Sequence, residues 1–260
     1  MPSALDIQAL VLDMDGVLWH DSQPIGDLPQ IFASIRAKGL KFVLATNNAV
    51  KTIPAFQSKL VGMGVSVSPE EIINSAMAAA HLLHQRFPKG GAVYIVGEDG
   101  IRNALTRLGF YEAEENVLAV VAGLDRQFSF DKLYTATRLI RQGAPFYGTN
   151  PDRTFPTPQG LTPGAGSILA AIEAASETAP IIAGKPSPTL FNVALERLGV
   201  APHQALAVGD RLETDILGGQ RAGCKTALVL SGVTSRSAGE NWSPQPDIIA
   251  ADLAALVDML

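Results

Sequence analysis

The chain has 260 residues, 47% hydrophobic and 17% charged, so it can bury a substantial core without disulfides or a structural metal. Its net charge of −5 argues against partners such as nucleic acid or an anionic lipid surface. One cysteine, no signal-peptide pattern at the N-terminus and no apolar run approaching 18 residues predict a cytoplasmic protein that neither forms an intrachain disulfide nor enters a membrane.

Short apolar segments alternate with amphipathic ones along the whole chain. In the first third we predict strands at 10–12 and 41–45, helices at 31–38 and 54–61, and a short apolar segment at 72–73. In the middle third we predict strands at 92–96 and 117–122, helices at 101–108 and 131–142, a Pro- and Gly-rich loop at 150–166, and then a helix capped by Ser167. In the last third we predict strands at 180–183, 205–208 and 225–230, and helices capped by Ser187, at 215–222 and at 252–259.

This alternation predicts an α/β fold with a doubly wound parallel sheet and helices on both faces. Sheets of this kind bind their ligands at the carboxyl ends of the strands. The residues that follow the predicted strands are therefore the first place to look for chemistry.

Asp13 and Asp15 follow the first predicted strand and are separated by one residue. In extended chain such residues point the same way, and two close carboxylates need a shared proton or a cation. Gly16 permits a backbone turn that a side chain would hinder. Taken alone, the segment fits an ordinary polar turn equally well. Trp19 follows it, either beside the crevice or in the core.

Hydrogen-bonding side chains follow two further strands. Thr46, Asn47 and Asn48 offer a hydroxyl and two amides that could bind an oxyanion, although the same residues are typical of a helix N-cap. Lys185 follows the strand at 180–183, where it could neutralise a phosphoryl group or simply lie on the surface.

Asp210 and Asp215 complete the pattern. Asp210 closes the strand at 205–208, and Asp215 lies at a predicted helix start, where the helix dipole favours a carboxylate. Carboxylates around a cation, with a lysine and a hydroxyl nearby, are what Mg²⁺-assisted phosphoryl transfer requires.

Four motifs in this order resemble the haloacid dehalogenase superfamily of phosphotransferases. They are Asp-x-Asp-Gly-Val at 13–17, Thr-Asn-Asn at 46–48, Gly-Lys-Pro at 184–186 and Gly-Asp-x-x-x-x-Asp at 209–215. Segments 121–125 and 162–167 resemble the nitrophenylphosphatase-like (NagD-like, class IIA) subfamily. The resemblance implies a core made of residues 1–76 and 181–260, with an α/β cap inserted at 77–180.

The resemblance also implies a Mg²⁺-dependent phosphatase of small phosphomonoesters, such as p-nitrophenyl phosphate, sugar phosphates, nucleotides or phosphoglycolate. Asp13 would attack phosphorus and become an aspartyl-phosphate. Asp15 would act as acid and base, and its peptide carbonyl would bind Mg²⁺. The metal set would be Asp13, Asp15, Asp210 and Asp215, the last acting directly or through water.

For the substrate, the resemblance implies that Thr46 and Lys185 hold phosphoryl oxygens and that Lys185 also restrains Asp13. Asn47 and Asn48 would orient the transferring group, and Gly16 belongs to the same binding set. Residues 125–128 and the loop at 150–158 are expected to form the substrate-facing edge of the cap. Caps of this type often pair, so a homodimer through the cap is also expected.

Four other functions share parts of this pattern. A phosphomutase or phosphotransferase would use the same aspartyl-phosphate, and a non-catalytic phosphate-binding regulator would retain the fold alone. A dehalogenase is disfavoured because it needs neither Asp15 as an acid nor a metal cluster. A receiver-like switch is disfavoured because receivers are about half as long.

Overall fold

The computed structural model of the chain describes residues 6–157 and 160–260. Residues 1–5, which make up most of the N-terminal segment expected to lack a signal-peptide pattern, lie outside the described residues. So do residues 158 and 159 of the predicted loop.

The described residues form fifteen strands and ten α-helices. The strands are β1 (Ala9–Leu12), β2 (Trp19–His20), β3 (Gln23–Pro24), β4 (Lys41–Thr46), β5 (Ile72–Asn74), β6 (Gly91–Val96), β7 (Phe110–Glu112), β8 (Val120–Ala122), β9 (Phe146–Gly148), β10 (Thr154–Thr157), β11 (Gly160–Pro163), β12 (Ile181–Ile182), β13 (Ala205–Gly209), β14 (Lys225–Val229) and β15 (Ile248–Ala250). The helices are α1 (Leu28–Ala37), α2 (Ile53–Gly62), α3 (Ser75–Arg86), α4 (Asp99–Thr106), α5 (Phe130–Arg141), α6 (Ala165–Ser176), α7 (Thr189–Leu198), α8 (Leu217–Arg221), α9 (Arg236–Glu240) and α10 (Leu253–Met259). Among the described helices, none has both the length and the apolar character needed to cross a bilayer.

The chain divides into two compact units. The first unit comprises the residues up to Thr46, Pro54–Ile73 and Pro186–Leu260. The second unit comprises Asn47–Ile53 and Asn74–Lys185. The core and cap boundaries expected at 76/77 and 180/181 stay predictions, while the units change at 73/74 and 185/186.

The first unit is built on a sheet whose strands lie in the order β15-β14-β13-β1-β4-β5. β1 runs parallel to β13 on one side and to β4 on the other, so that Leu12 lies opposite Val208 and Leu44. Every residue of β1 is buried, because a central parallel strand is covered on both faces by helices. Its uninterrupted apolar sequence follows from this position.

The second unit contains a five-stranded sheet in the order β12-β9-β8-β6-β7, and each neighbouring pair is parallel. Its core is a cluster of buried apolar side chains that includes Val96, Val120, Phe146, Leu169 and Ile172. Two parallel sheets with helices confirm the predicted α/β fold class.

The predicted loop at 150–166 is wrong over most of its length. β10 and β11 pair antiparallel there, with Thr154 opposite Pro163 and Thr157 opposite Gly160. Proline is tolerated in this two-stranded ribbon because each strand has one edge on which no ladder donor is needed. The Pro- and Gly-rich composition of the segment therefore predicted a loop where the structure has two strands.

Two predicted helix caps are also wrong. α6 begins at Ala165, so Ser167 lies inside its first turn and donates its hydroxyl to the carbonyl of Arg153 at 2.7 Å. Ser187 lies one residue before the actual cap of α7, Pro188, and accepts a long hydrogen bond of 3.4 Å from the Thr189 N–H. A serine was available in both cases, but α6 is capped three residues before Ser167, at Gly164, and α7 one residue after Ser187, at Pro188.

Candidate active site

Three neighbouring strands of the first unit end at one edge of its sheet. Asp13 follows β1, Thr46 is the last residue of β4, and Asp210 follows β13. The Asp13 N–H donates to the carbonyl of Val208 at 2.9 Å, which extends the ladder to the first carboxylate. Because the three strands are adjacent and parallel, their polar side chains are delivered to the same edge.

Asp13, Asp210 and Asp215 form a carboxylate cluster at this edge. Each offers an oxygen atom, and these atoms all lie within 4.8 Å of one another. Asp210 and Asp215 are only 2% and 3% exposed. Carboxylates this close and this poorly hydrated repel one another unless protons or a cation neutralise them. Oxygen ligands at such spacing fit a divalent cation, so these residues can hold one.

Backbone N–H groups fix the two buried carboxylates. The N–H of Val233 donates to Oδ2 of Asp210 at 2.9 Å, and that of Arg211 donates to Oδ2 of Asp215 at 3.1 Å. Asp215 was expected at a helix start but lies within a π-helical turn, Leu212–Ile216, that precedes α8. This turn carries the side chain back towards the strand end that it follows.

The backbone approaches Asp210 closely at two glycines. A Cβ at Gly16 would lie 2.6 Å from Cγ of Asp210, and one at Gly232 would lie 2.0 Å from its Oδ2. Gly16 also has a φ of +83°, which side chains disfavour. The cluster therefore occupies a cradle that a larger residue at either position would fill. Sequence reasoning missed Gly232 and Val233, whose nearest signal was a glycine shortly after β14.

Asp15 lies outside the three-carboxylate cluster. Its side chain is exposed, and its Oδ1 accepts a hydrogen bond of 2.8 Å from the indole N–H of Trp19. The loop between them is closed by two backbone bonds, Gly16 N–H to the Trp19 carbonyl and Leu18 N–H to the Met14 carbonyl, each 2.8 Å long. Asp15 is thus held by its own loop, and the Trp19 contact had no signal in the sequence.

Thr46 and Asn48 lie on either side of the point where the chain passes from the first unit to the second. Thr46 is buried at the strand end. The side-chain oxygen of Asn48 accepts from the N–H of Val50 at 3.1 Å, as in a local turn. The binding roles expected of both residues stay predictions.

In the second unit, the side-chain amide of Asn47 makes two hydrogen bonds with the main chain of Lys185. Its Oδ1 accepts from the Lys185 N–H at 2.8 Å, and its Nδ2 donates to the Lys185 carbonyl at 3.0 Å. The same Nδ2 donates to Oδ2 of Asp152 at 3.0 Å, which also accepts from Asn150 at 2.7 Å. The side-chain amide of Asn47 therefore hydrogen-bonds to other residues of the protein. It fixes the main chain of Lys185, whose side chain is buried.

The substrate-facing edge expected at 125–128 contains a carboxylate with protein partners of its own. Asp125 is 4% exposed and accepts from Nζ of Lys132 at 2.6 Å and from the N–H of Gln127 at 2.8 Å. These two contacts are enough to stabilise the buried carboxylate of Asp125, so its burial does not by itself indicate a ligand.

Comparisons with known proteins agree with this architecture. The family model described as haloacid dehalogenase-like hydrolase matches residues 10–111, and a related HAD-hydrolase-like model matches residues 182–256. The chain is 36% identical over 246 residues to a dihydroxyacetone phosphatase of Corynebacterium glutamicum, covering 95% of this chain and 89% of that protein.

Two solved structures extend the likeness to the fold. A p-nitrophenyl phosphatase from Archaeoglobus fulgidus has a TM-score of 0.91 and 28% identity, covering 98% of this chain and all of that one. A glycerol phosphate phosphatase from Mycobacterium tuberculosis, in complex with magnesium, has a TM-score of 0.90 and 35% identity, covering 96% of this chain and 76% of that one. The chain therefore belongs to the haloacid dehalogenase-like hydrolases, and it is a phosphoric monoester hydrolase.

Proposed function

We propose that this protein is a Mg²⁺-dependent phosphatase that hydrolyses small phosphomonoesters through an aspartyl-phosphate on Asp13. The observation that carries the proposal is the carboxylate cluster, which gathers Asp13 with the buried Asp210 and Asp215 at the carboxyl edge of a parallel sheet. Asp13 is half-buried and so remains open to a ligand, whereas the other two carboxylates are enclosed. This difference in exposure supports Asp13 as the carboxylate that reacts, with Asp210 and Asp215 as further ligands of a cation that all three would share.

The reaction divides into two transfers. In the first, a carboxylate oxygen of Asp13 bonds to phosphorus, the bond from phosphorus to the ester oxygen breaks, and Asp15 gives its proton to that oxygen. In the second, Asp15 takes a proton from a water molecule whose oxygen bonds to phosphorus, and the bond to Asp13 breaks. Inorganic phosphate leaves, and both carboxyl groups return to their starting states. The Thr46 hydroxyl, at the next strand end, is assigned to a phosphoryl oxygen.

Asp13, Asp210 and Asp215 would hold the Mg²⁺ ion. When bound, the ion offsets the repulsion between an anionic carboxylate and an anionic phosphate. The fit rests on the spacing of the carboxylate oxygens and on the cradle at Gly16 and Gly232. The magnesium complex of the mycobacterial relative supports the choice of metal.

The first test is hydrolysis of p-nitrophenyl phosphate. We expect p-nitrophenol release that requires Mg²⁺ and is stopped by EDTA, and we expect Asp13→Asn to abolish it, because an amide is a far weaker nucleophile. Asp258→Asn, an exposed carboxylate on α10, is the matched control and should behave as wild type. Wild-type turnover by Asp13→Asn with an intact fold would refute the assignment of the nucleophile.

The second test concerns substrate class. Two relatives are named for dihydroxyacetone and for glycerol phosphate, so a panel should begin with three-carbon phosphates. Other sugar phosphates, nucleotides and phosphoglycolate follow. Phosphate release identifies a phosphatase, whereas an isomeric sugar phosphate without phosphate release would identify a phosphomutase.

The roles of Lys185, Asn47 and Asn48 stay predictions and need a test of their own. Lys185→Ala should lower kcat/KM by at least about 100-fold if its ammonium contacts the transferring phosphoryl group, because stabilisation of developing charge is typically of that size. Lys89→Ala, in the same unit but outside the proposed machinery, is the control. Equal activity of the two variants would remove Lys185 from the mechanism.

A further inference from the structure

Trp19 contacts Asp15, the proposed acid and base. Its indole Nε1 lies 2.8 Å from Oδ1 of Asp15, and the indole is 1% exposed. A fully buried ring cannot rotate freely, so the direction of its N–H is fixed by packing. Asp15, by contrast, is exposed and would otherwise sample several rotamers.

Lys59 holds the indole from another side. Its Nζ lies 3.7 Å from the centre of the Trp19 ring, and it also donates to the carbonyl of Asp21 at 2.6 Å. A cation over an indole is attracted by the negative face of the ring. By polarising the ring it also makes the N–H a better donor, since linked polar contacts strengthen one another. All of these residues belong to the first unit.

We propose that Trp19 is a positioning residue that assigns the proton of Asp15 to a single atom, Oδ2. The indole N–H can only donate, and the unprotonated oxygen of a carboxyl group is the better acceptor, so this contact favours an Oδ1 that carries no proton. Oδ2 is then the oxygen that carries the proton of the acid and gives it to the leaving oxygen. This inference rests on the proposed function, because it refines the role of Asp15 in that reaction.

The consequence is a dependence on the leaving group. An alkyl phosphate has a poor leaving group that needs its proton as the bond to phosphorus breaks, whereas p-nitrophenolate leaves without one. Misdirecting the proton should slow the first transfer from an alkyl ester and leave that from the aryl ester almost unchanged. A loss of packing would lower both rates together.

The test compares kcat/KM for glycerol 3-phosphate and for p-nitrophenyl phosphate in Trp19→Phe, which keeps an aromatic ring and loses the N–H. We expect a fall of about tenfold on the alkyl ester and less than about twofold on the aryl ester. Trp242→Phe is the matched control, since that indole donates to Gln220 at 3.4 Å. Its two rates should not change relative to each other. If Trp19→Phe does not fold, benzothienylalanine at position 19 keeps the ring shape without the donor.

Equal losses on the two esters, or no loss on either, would overturn the assignment of Trp19. The proposed function fails in a different way, through a wild-type protein that releases no phosphate or an Asp15→Asn variant that keeps full activity on glycerol 3-phosphate. The two failures are therefore distinguishable in one set of assays.

Discussion

At the scale of single residues, the carboxylate cluster depends on positions that carry no side chain. A Cβ at Gly16 or at Gly232 would lie less than 3 Å from side-chain atoms of Asp210. The site thus depends on the absence of a side chain at these two glycines as well as on the acids themselves. Substitution at these positions should damage activity out of proportion to its effect on stability.

Gly16→Ala tests this with a matched control in the same unit. Gly39 also has a positive φ, +71°, but a Cβ there would meet nothing within 4 Å. Both alanine variants should lose about 1 kcal/mol of stability or more, because a side chain strains that backbone. Only Gly16→Ala should also lose activity, by about 100-fold, since displacing a reacting group by a fraction of an ångström has that effect. Steady-state kinetics and urea unfolding separate the two effects, and an active Gly16→Ala would contradict the cradle.

Cys224 gives a second prediction at this scale. Burial raises the pKa of its thiol from 9.0 to about 12. The unfolded thiol ionises first as the pH rises, so its contribution to stability is complete below pH 9 and is lost between pH 9 and about 12. The difference in the free energy of unfolding between wild type and Cys224→Ala should therefore change over that range, with wild type losing more. A constant difference in urea unfolding across the range would mean that the thiol is not shielded.

At the scale of secondary structure, predictability followed the length of the apolar segments. β1, β4, β13 and β14 each have four to six residues, and the sequence pattern located them to within one or two positions. β7 and β9 have three residues each, too few for any period to emerge, and tertiary pairing alone defines them. β12 has only two residues, but it lies within the strand predicted at 180–183. The π-helical turn that carries Asp215 was missed for a similar reason, because its geometry serves the carboxylate rather than a helical pattern.

The cap of α10 provides a prediction for a whole element. Oδ1 of Asp252 accepts from the Ala255 N–H at 2.8 Å, which satisfies a donor that the helix cannot. Asp252→Ala should lower the free energy of unfolding by about 1 kcal/mol, and Asp252→Asn should restore most of it. Asp258→Ala, near the C-terminus of the same helix, should not destabilise the protein. Urea unfolding would measure all three, and an unchanged Asp252→Ala would rule out a stabilising cap.

At the scale of the whole molecule, the sequence supported the family and fold class, which are confirmed, better than it supported the contacts within the site. Strand ends pointed to Asp13 and Asp210 because parallel neighbours share an edge, whereas Asp215 was expected from a predicted helix start. Nothing local pointed to the Asn47–Lys185 bonds, whose residues are far apart in the chain and meet only after folding. The cytoplasmic location and the homodimer through the cap stay predictions.

The homodimer can be tested directly. Each chain has a mass of 27.4 kDa, so light scattering of the purified protein should give twice that value if the expected pairing occurs. A mass equal to one chain at micromolar concentration would contradict it.

The strand order of the first sheet has a consequence for folding during synthesis on the ribosome. β1 lies between β4, which is made early, and β13, which is made only after every residue of the second unit has been synthesised. During translation the second unit can therefore fold to completion while one edge of β1 waits without its partner. A buried apolar strand with an open edge is prone to pair with other chains. The nascent protein thus has an interval in which its own sheet does not yet cover that edge.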